Sequence, residues 1–314
     1  MGLYPKELKA VLAGVPWGPN SNAYIVDVEN GDDANSGLSW GKSLATIEAA
    51  YDLCEDNQND VIVVVAGNSA HALAAEITWS KDFVHMIGLS ANLPGVGQRA
   101  RITASATVDA VQLITVSGQG NIFRNLQIAN EADAAADSGA VVVTGNRNEF
   151  TNVFFHGILN AATVGIRAGA FSLKLTGAHE NLFDNCTIGA DTTVRASTGA
   201  DLVIQTGSSK NTFRDCYLMS ASETAGHNAV SFVTSTTPMG LTVFKNCLFY
   251  NNSVNWGQAI TDVFGITGAQ ATYYIVLMGC LAVGYTGWSD VLTHVYSADP
   301  APDTGFGIAT SPAA

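Results

Sequence analysis

The chain has 314 residues, only 13% of them charged, and 14 lysines and arginines against 27 aspartates and glutamates leave a net charge of −13. An acidic chain without a Lys/Arg cluster is unsuited to neutralising phosphates, so no nucleic-acid partner is expected. No stretch approaches the ~20 apolar residues of a membrane span. Charge this far below the roughly 25% of ordinary domains implies a surface of Gly, Ser, Thr, Asn and Ala, as in stacked β-structure.

Residues 1–22 read as an arm punctuated by Pro5, Pro16, Gly18 and Pro19, with a short helix possible only over Lys6–Ala13. Leu3, Tyr4, Leu8, Val11, Leu12 and Trp17 are too apolar for water, so the arm is expected to pack on its own body or on a partner. The N-terminus lacks the basic and long apolar regions of a signal peptide. Lys6 stands where a myristoylation signal needs Ser or Thr. These features point to a chain made in the cytoplasm without cleavage.

A strand is expected over Ala23–Val28, then a turn cluster over Gly31–Gly37. A helix follows over Ser43–Cys54, with Ser43 as N-cap and an apolar stripe of Leu44, Ile47, Ala50, Tyr51 and Cys54. The continuous apolar run Asp60–Val65 is the pattern of a strand covered on both faces. Asp32 and Asp33 are read as turn-forming acids, with a calcium site as the alternative.

From residue 83 come only short β-like runs, and from Asn121 a motif repeats, written Asn-x-Phe-x-Asn and marked by Phe123, Phe150, Phe183, Phe213, Phe244 and a decayed copy at Leu277. The markers are 27, 33, 30, 31 and 33 residues apart. Between copies lie short β-like runs such as Ala140–Val143, Asp201–Ile204 and Ala229–Val233, two or three per period. That is one coil of a solenoid per repeat. Alternation places the phenylalanines inside, together with Cys186, Cys216, Cys247 and Cys280, which recur in phase. These thiols have no Cys-x-x-Cys spacing and no histidines placed for zinc, so they read as small buried hydrophobes. Adjacent rungs stand close enough for a disulfide, which a protein made inside a cell does not need. Asn125, Asn152, Asn185, Asp215 and Asn246 mark a bend, since Asn and Asp tolerate left-handed backbone, and stacked amides form a ladder. Asn121, Asn148, Asn181 and Asn211 begin the same turn.

A strand, Gly31-Asp-Asp-Ala-Asn-Ser-Gly-Leu-Ser-Trp40, a helix containing Ala45-Thr-Ile-Glu-Ala-Ala50 and a valine-rich strand together resemble the opening of pectate-lyase-like proteins. The resemblance implies an all-β fold: a right-handed, single-stranded parallel β-helix with an N-terminal capping α-helix and extended terminal arms. The divisions are an arm (1–22), a cap (23–82), coils (83–296) and a Pro/Gly/Ala-rich tail (297–314) in which Phe306 and Ile308 could anchor.

That fold hosts pectate lyases, polygalacturonases and phage tailspike depolymerases, so the residues must be asked for chemistry. Glycoside hydrolysis needs two carboxylates on one face. The outward column reads Arg124, Thr151, Asp184, Arg214 and Lys245, a single acid among bases, and Asp184 is expected to bridge to Arg214. None of the Asn-Thr-Asp, Gly-His-Gly or Arg-Ile-Lys signatures occurs. Glu131, Asp133 and Asp137 form the strongest enzymatic alternative, and His156 and His179 read as loop or groove residues. No catalytic, cofactor or metal residue is therefore assigned. Late aromatics suggest a seam: Trp256, Tyr285 and Trp288, with Leu3, Tyr4, Trp17 and Phe306 of the arms, are the expected interface, with sugar stacking as the alternative. The whole resembles a bacteriophage virion structural protein of the capsid decoration or cement kind. The expectation is a homotrimer made in the host cytoplasm, its arms on the major capsid or other virion proteins. A polysaccharide-binding or depolymerising tailspike and a surface adhesin are the alternatives.

Overall fold

The structure is a computed structural model, described over residues 8, 12–90, 100–105, 112–131, 139–159, 169–195, 198–205, 207–233, 240–252, 260–267, 273–289, 291 and 294–297. Each repeat winds once through three parallel sheets. The ten-stranded sheet begins at Ala23–Val26 and Asp60–Val65 and passes through the motif strands Ile122–Arg124, Glu149–Thr151, Leu182–Asp184, Asn211–Arg214 and Leu241–Lys245. It ends at Tyr274–Met278 and Val295–Ser297. The eight-stranded sheet takes the segment after each bend, such as Leu126–Asn130, Thr187–Gly189 and Tyr217–Ser220. The seven-stranded sheet takes Gly139–Val143, Phe171–Thr176, Ala200–Gln205 and Asn228–Val233. The protein is an all-β parallel β-solenoid with one α-helix.

The register explains why the motif repeats. Phe123, Phe150, Phe183, Phe213 and Phe244 are direct partners across successive strands. Their rings stack at 4.9, 4.8, 4.6 and 4.9 Å, close to parallel, which is the spacing of neighbouring strands. One coil later the column continues in Leu277. Cys186, Cys216, Cys247 and Cys280 are buried beside it, each thiol donating to the carbonyl of the phenylalanine of the preceding coil at 3.3–3.5 Å. None of the five cysteines is in a disulfide.

Two bends per coil use left-handed backbone. The first precedes the motif strand at Phe83, Gly120, Arg147, Glu180 and Lys210, with φ of 52–67°. The second follows it at Asn125, Asn152, Asn185, Asp215 and Asn246, with φ of 52–56°, and Gly279 takes that position in the last copy. The ladder along this second bend has the steps Asn152 Nδ2 to Asn125 Oδ1 (2.9 Å) and Asn246 Nδ2 to Asp215 Oδ1 (3.1 Å). A second amide ladder, fully buried, runs along the leading asparagines. The backbone N–H of Asn121 donates to Asn148 Oδ1, that of Asn148 to Asn181 Oδ1, and that of Asn181 to Asn211 Oδ1. These residues fix the corner itself rather than merely starting a turn.

The helix is shorter than the sequence predicts. It spans Ile47–Leu53, capped by Thr46, whose hydroxyl accepts from Ala49 N. Ser43 cannot be the N-cap because Leu44 pairs with Val26 in extended backbone. Asp33 holds the turn instead, accepting from the N–H groups of Ala45 and Thr46 and from the Thr46 hydroxyl. The helix closes the end of the core, Tyr51 lying 4.4 Å from the ring of Trp79. Coils begin earlier than residue 83: His71–Leu73 and Ile77–Trp79 already belong to the second and third sheets. Strands of three residues are too short to show a period.

A second core explains the doubly apolar strand Asp60–Val65. Leu8, Leu12 and Val15 of the N-terminal segment pack on the outer side of the ten-stranded sheet against Ile25, Val61, Val63 and Ile87. This part of the arm therefore lies on its own body. At the other end Phe249, Phe264 and Trp288 form an aromatic cluster with ring centroids 5.5–5.9 Å apart. Tyr285 and Trp288, expected at an interface, are instead core residues, 0% and 5% exposed. The register of the last coil turns them inward. Trp17 is exposed, and Leu3, Tyr4, Trp256 and Phe306 lie outside the described residues.

Candidate binding groove

The acids on the outside of the ten-stranded sheet are engaged with bases of neighbouring coils. Asp184 receives both Nε and Nη2 of Arg214 at 2.7 and 2.8 Å, and Arg124 reaches Glu149 at 2.8 Å. Glu180 stands between Arg147 (2.7 Å) and Lys210 (3.3 Å), which draw its pKa down. Asp32 and Asp33 serve backbone donors of their own turn and of the helix start. Glu131 is exposed at the end of Leu126–Asn130, and Asp133 and Asp137 lie outside the described residues. His179 is exposed, and His156 stacks edge-on against Phe154 at 3.6 Å. The structure thus spreads the described acids among the sequence-predicted ones over separate places: the outer sheet face, the cap turn and the end of Leu126–Asn130.

Among the described residues a concave feature lies elsewhere, on the outer side of the seven-stranded sheet. Alternation sends Leu173, Leu202 and Val230 inward, all fully buried. Their neighbours Lys174, Val203 and Ser231, in register across three coils, face outward. With Phe171, Gln205 and Asn228 they line a groove of about 340 Å³. Lys174 Nζ sits 5.4 Å from the centre of the Phe171 ring, and partial burial lowers its pKa. Gln205 accepts from the Thr176 hydroxyl at 3.2 Å, and Asn228 donates to the Asp262 carbonyl at 2.9 Å. Among the described lining residues Lys174 is the one charged side chain. The Phe171 ring is buried beneath Lys174, so the groove offers amides, hydroxyls and one ammonium, which suit hydrogen bonding to a polar ligand, and no carboxylate pair for hydrolysis. None of the sequence-predicted site residues is among the described residues that line this groove. The alternation Phe171-Ser-Leu-Lys-Leu-Thr176 is the signal that could have placed Lys174 outward.

A buried polar corner was also missed. His227 Nε2 (3.1 Å) and the Ser220 hydroxyl (2.6 Å) meet the same oxygen of Asp201, and Tyr285 donates to Ser220 at 3.0 Å. Arg195, fully buried, contributes opposing charge to Asp201, while burial lowers its own pKa. In a nucleophilic triad the histidine stands between serine and carboxylate; here the carboxylate is central and every member is closed to solvent. The corner is structural.

A parallel β-solenoid with these stacked columns and an outer groove defines the class: a pectate-lyase-like β-helix. Among solved structures the chain is similar to a pectate lyase, with a TM-score of 0.52 and 16% identity over 94% of this chain and 74% of that one. It is also similar to a rhamnogalacturonan lyase (TM-score 0.49, 11% identity, 84% and 74% covered) and to a pectin methylesterase from Aspergillus niger (0.42, 12%, 93% and 94%). The likeness to the pectate lyase, at 16% identity, shows the fold alone. No protein-family model and no curated protein matches the chain.

Proposed function

We propose that the protein is a non-catalytic structural β-solenoid, a bacteriophage virion component of the decoration or cement kind. The observation that carries this reading is the use of the outer acids: Glu149, Asp184 and Glu180 each bond a base of an adjacent coil. They staple the stack together and are not free to work as an acid–base pair. The assignment to a particle is supported by analogy of architecture, a charge-poor stacked body. Quantitative mass spectrometry of purified phage particles is the test. Recovery of the chain in a fixed ratio to the capsid protein is expected, and its loss from washed particles overturns the reading.

A second reading, binding of polysaccharide, is favoured by the groove of Lys174, Gln205, Asn228 and Ser231. Retention on an immobilised acidic polysaccharide that is weakened by Lys174→Ala would favour it.

A further inference from the structure

Cations that withdraw from water in this chain have oxygen partners. Of the described lysines and arginines that are not exposed, Arg124 pairs with Glu149 and Arg195 faces Asp201. Lys81 donates to the carbonyls of Tyr51 and Cys54 at the end of the helix. Lys174 is the exception. Half-buried in the groove, it makes no ion pair among the described residues and rests on the Phe171 ring. An ammonium shielded from water without a counter-ion is unfavourable, and burial lowers its pKa. Register sets what lies beyond it. Along the solenoid axis the column runs from Lys174 to Val203, Ser231 and Gly265, beside the column Thr176, Gln205, Val233 and Thr267. A Cβ at Gly265 would stand 2.0 Å from Asn228 Oδ1, so the glycine leaves room for that amide to lie along the groove. Strands stand about 4.8 Å apart. A ligand lying along the axis therefore meets one cation at one end and uncharged side chains on the coils that follow.

We infer that the groove takes a sparsely charged polysaccharide, one with a single carboxylate in each repeat unit and neutral sugars between. The carboxylate supplies the counter-ion that Lys174 lacks, in a charge-assisted bond about twice as strong as a neutral one. Gln205, Asn228 and Ser231 offer amides and a hydroxyl to the uncharged sugars that follow. A polymer charged on every sugar fits badly. Its further carboxylates fall over Val203, Ser231 and Val233, where no described cation answers them, in the field of a chain of net charge −13. A neutral polymer leaves the ammonium without its partner. The inference rests on the reading of the groove as a polysaccharide site and adds which polysaccharides it accepts.

The test is affinity electrophoresis of the full-length protein against gellan, which carries a single glucuronate in each repeat, against carboxyl-reduced gellan, and against polygalacturonate. The proteins are the wild type, Lys174→Ala, Lys174→Arg and Lys245→Ala, with folding checked by circular dichroism. Lys245→Ala removes the same charge from an exposed position on the ten-stranded sheet. The wild type and Lys245→Ala are expected to bind gellan about tenfold or more tightly than either other polymer, as one charge-assisted bond supplies. Lys174→Ala is expected to bind gellan as weakly as the reduced polymer, and Lys174→Arg to keep the preference. Gellan bound no more tightly than its reduced form, or than polygalacturonate, overturns the inference on the wild type alone and leaves the polysaccharide reading standing. So does an equal loss in folded Lys174→Ala and Lys245→Ala. Absence of binding to all three polymers overturns both.

Discussion

Asn181 shows how much of this molecule rests on single buried amides. Its Oδ1 accepts from Asn148 N, and its Nδ2 donates to the Gly145 carbonyl and to Asn211 Oδ1. Removing the amide strands buried partners at about 1–3 kcal/mol each, so Asn181→Ala is expected to cost roughly 3 kcal/mol or more in denaturant unfolding. Asp184→Ala removes a surface ion pair worth less than about 1 kcal/mol, although its geometry is bidentate. His85 belongs to the same corner. Its Nδ1 accepts from Ile122 N at 3.1 Å, which requires a neutral ring. Burial, with Arg124 adding, holds its pKa down at about 4. The unfolded chain protonates this histidine near pH 6.5. The contribution of neutral His85 is therefore complete above about pH 6.5 and is lost as pH falls toward 4, on the order of 3 kcal/mol. His85→Asn offers Oδ1 as the acceptor without the titration. Its stability is expected to lose less than that of the wild type between those pH values, and parallel pH profiles would refute the assignment.

At the scale of the element, the stacked phenylalanines carry the core. Phe183 is in ring contact with Phe150 and Phe213 and is fully buried, so Phe183→Ala is expected to cost about 3–5 kcal/mol. All five thiols are buried, and burial pushes that of Cys216 well above its ordinary pKa. A small alkylating reagent is expected to leave the native protein unmodified and to label five cysteines in denaturant; rapid native labelling would contradict the stack. These columns were legible in the sequence because parallel register forces one residue type to recur once per coil. Asn185 and Cys186 announced their roles through Asn152, Asn246, Cys216 and Cys247. The left-handed bend at Arg147, Glu180 and Lys210 was not legible, since no common side chain marks it. The helix start was misplaced because Ser43 satisfies the chemistry of an N-cap while Leu44 is claimed by a strand partner. Arg195 and Asp201 belong to one coil, Ser220 and His227 to the next and Tyr285 to a later one, and they share no spacing, so their corner exists only in the folded chain.

For the whole molecule, the fold followed from the repeat, while the groove depends on which outward positions fall side by side. Lys174 gains its setting from Phe171 and Val203, juxtapositions that are invisible along one strand. The same logic separates scaffold from chemistry. Glu149, Glu180 and Asp184 each meet a base of an adjacent coil, so these carboxylates serve cohesion between coils. The most direct measurement is incubation of the purified full-length protein with acidic and neutral polysaccharides, following polymer length by light scattering and counting chain ends. Unchanged polymer length, with or without retention of polymer on the protein, is the expected result. Shortened chains bearing new reducing or unsaturated ends would contradict the central claim that this β-solenoid holds structure together and does not cut its ligand.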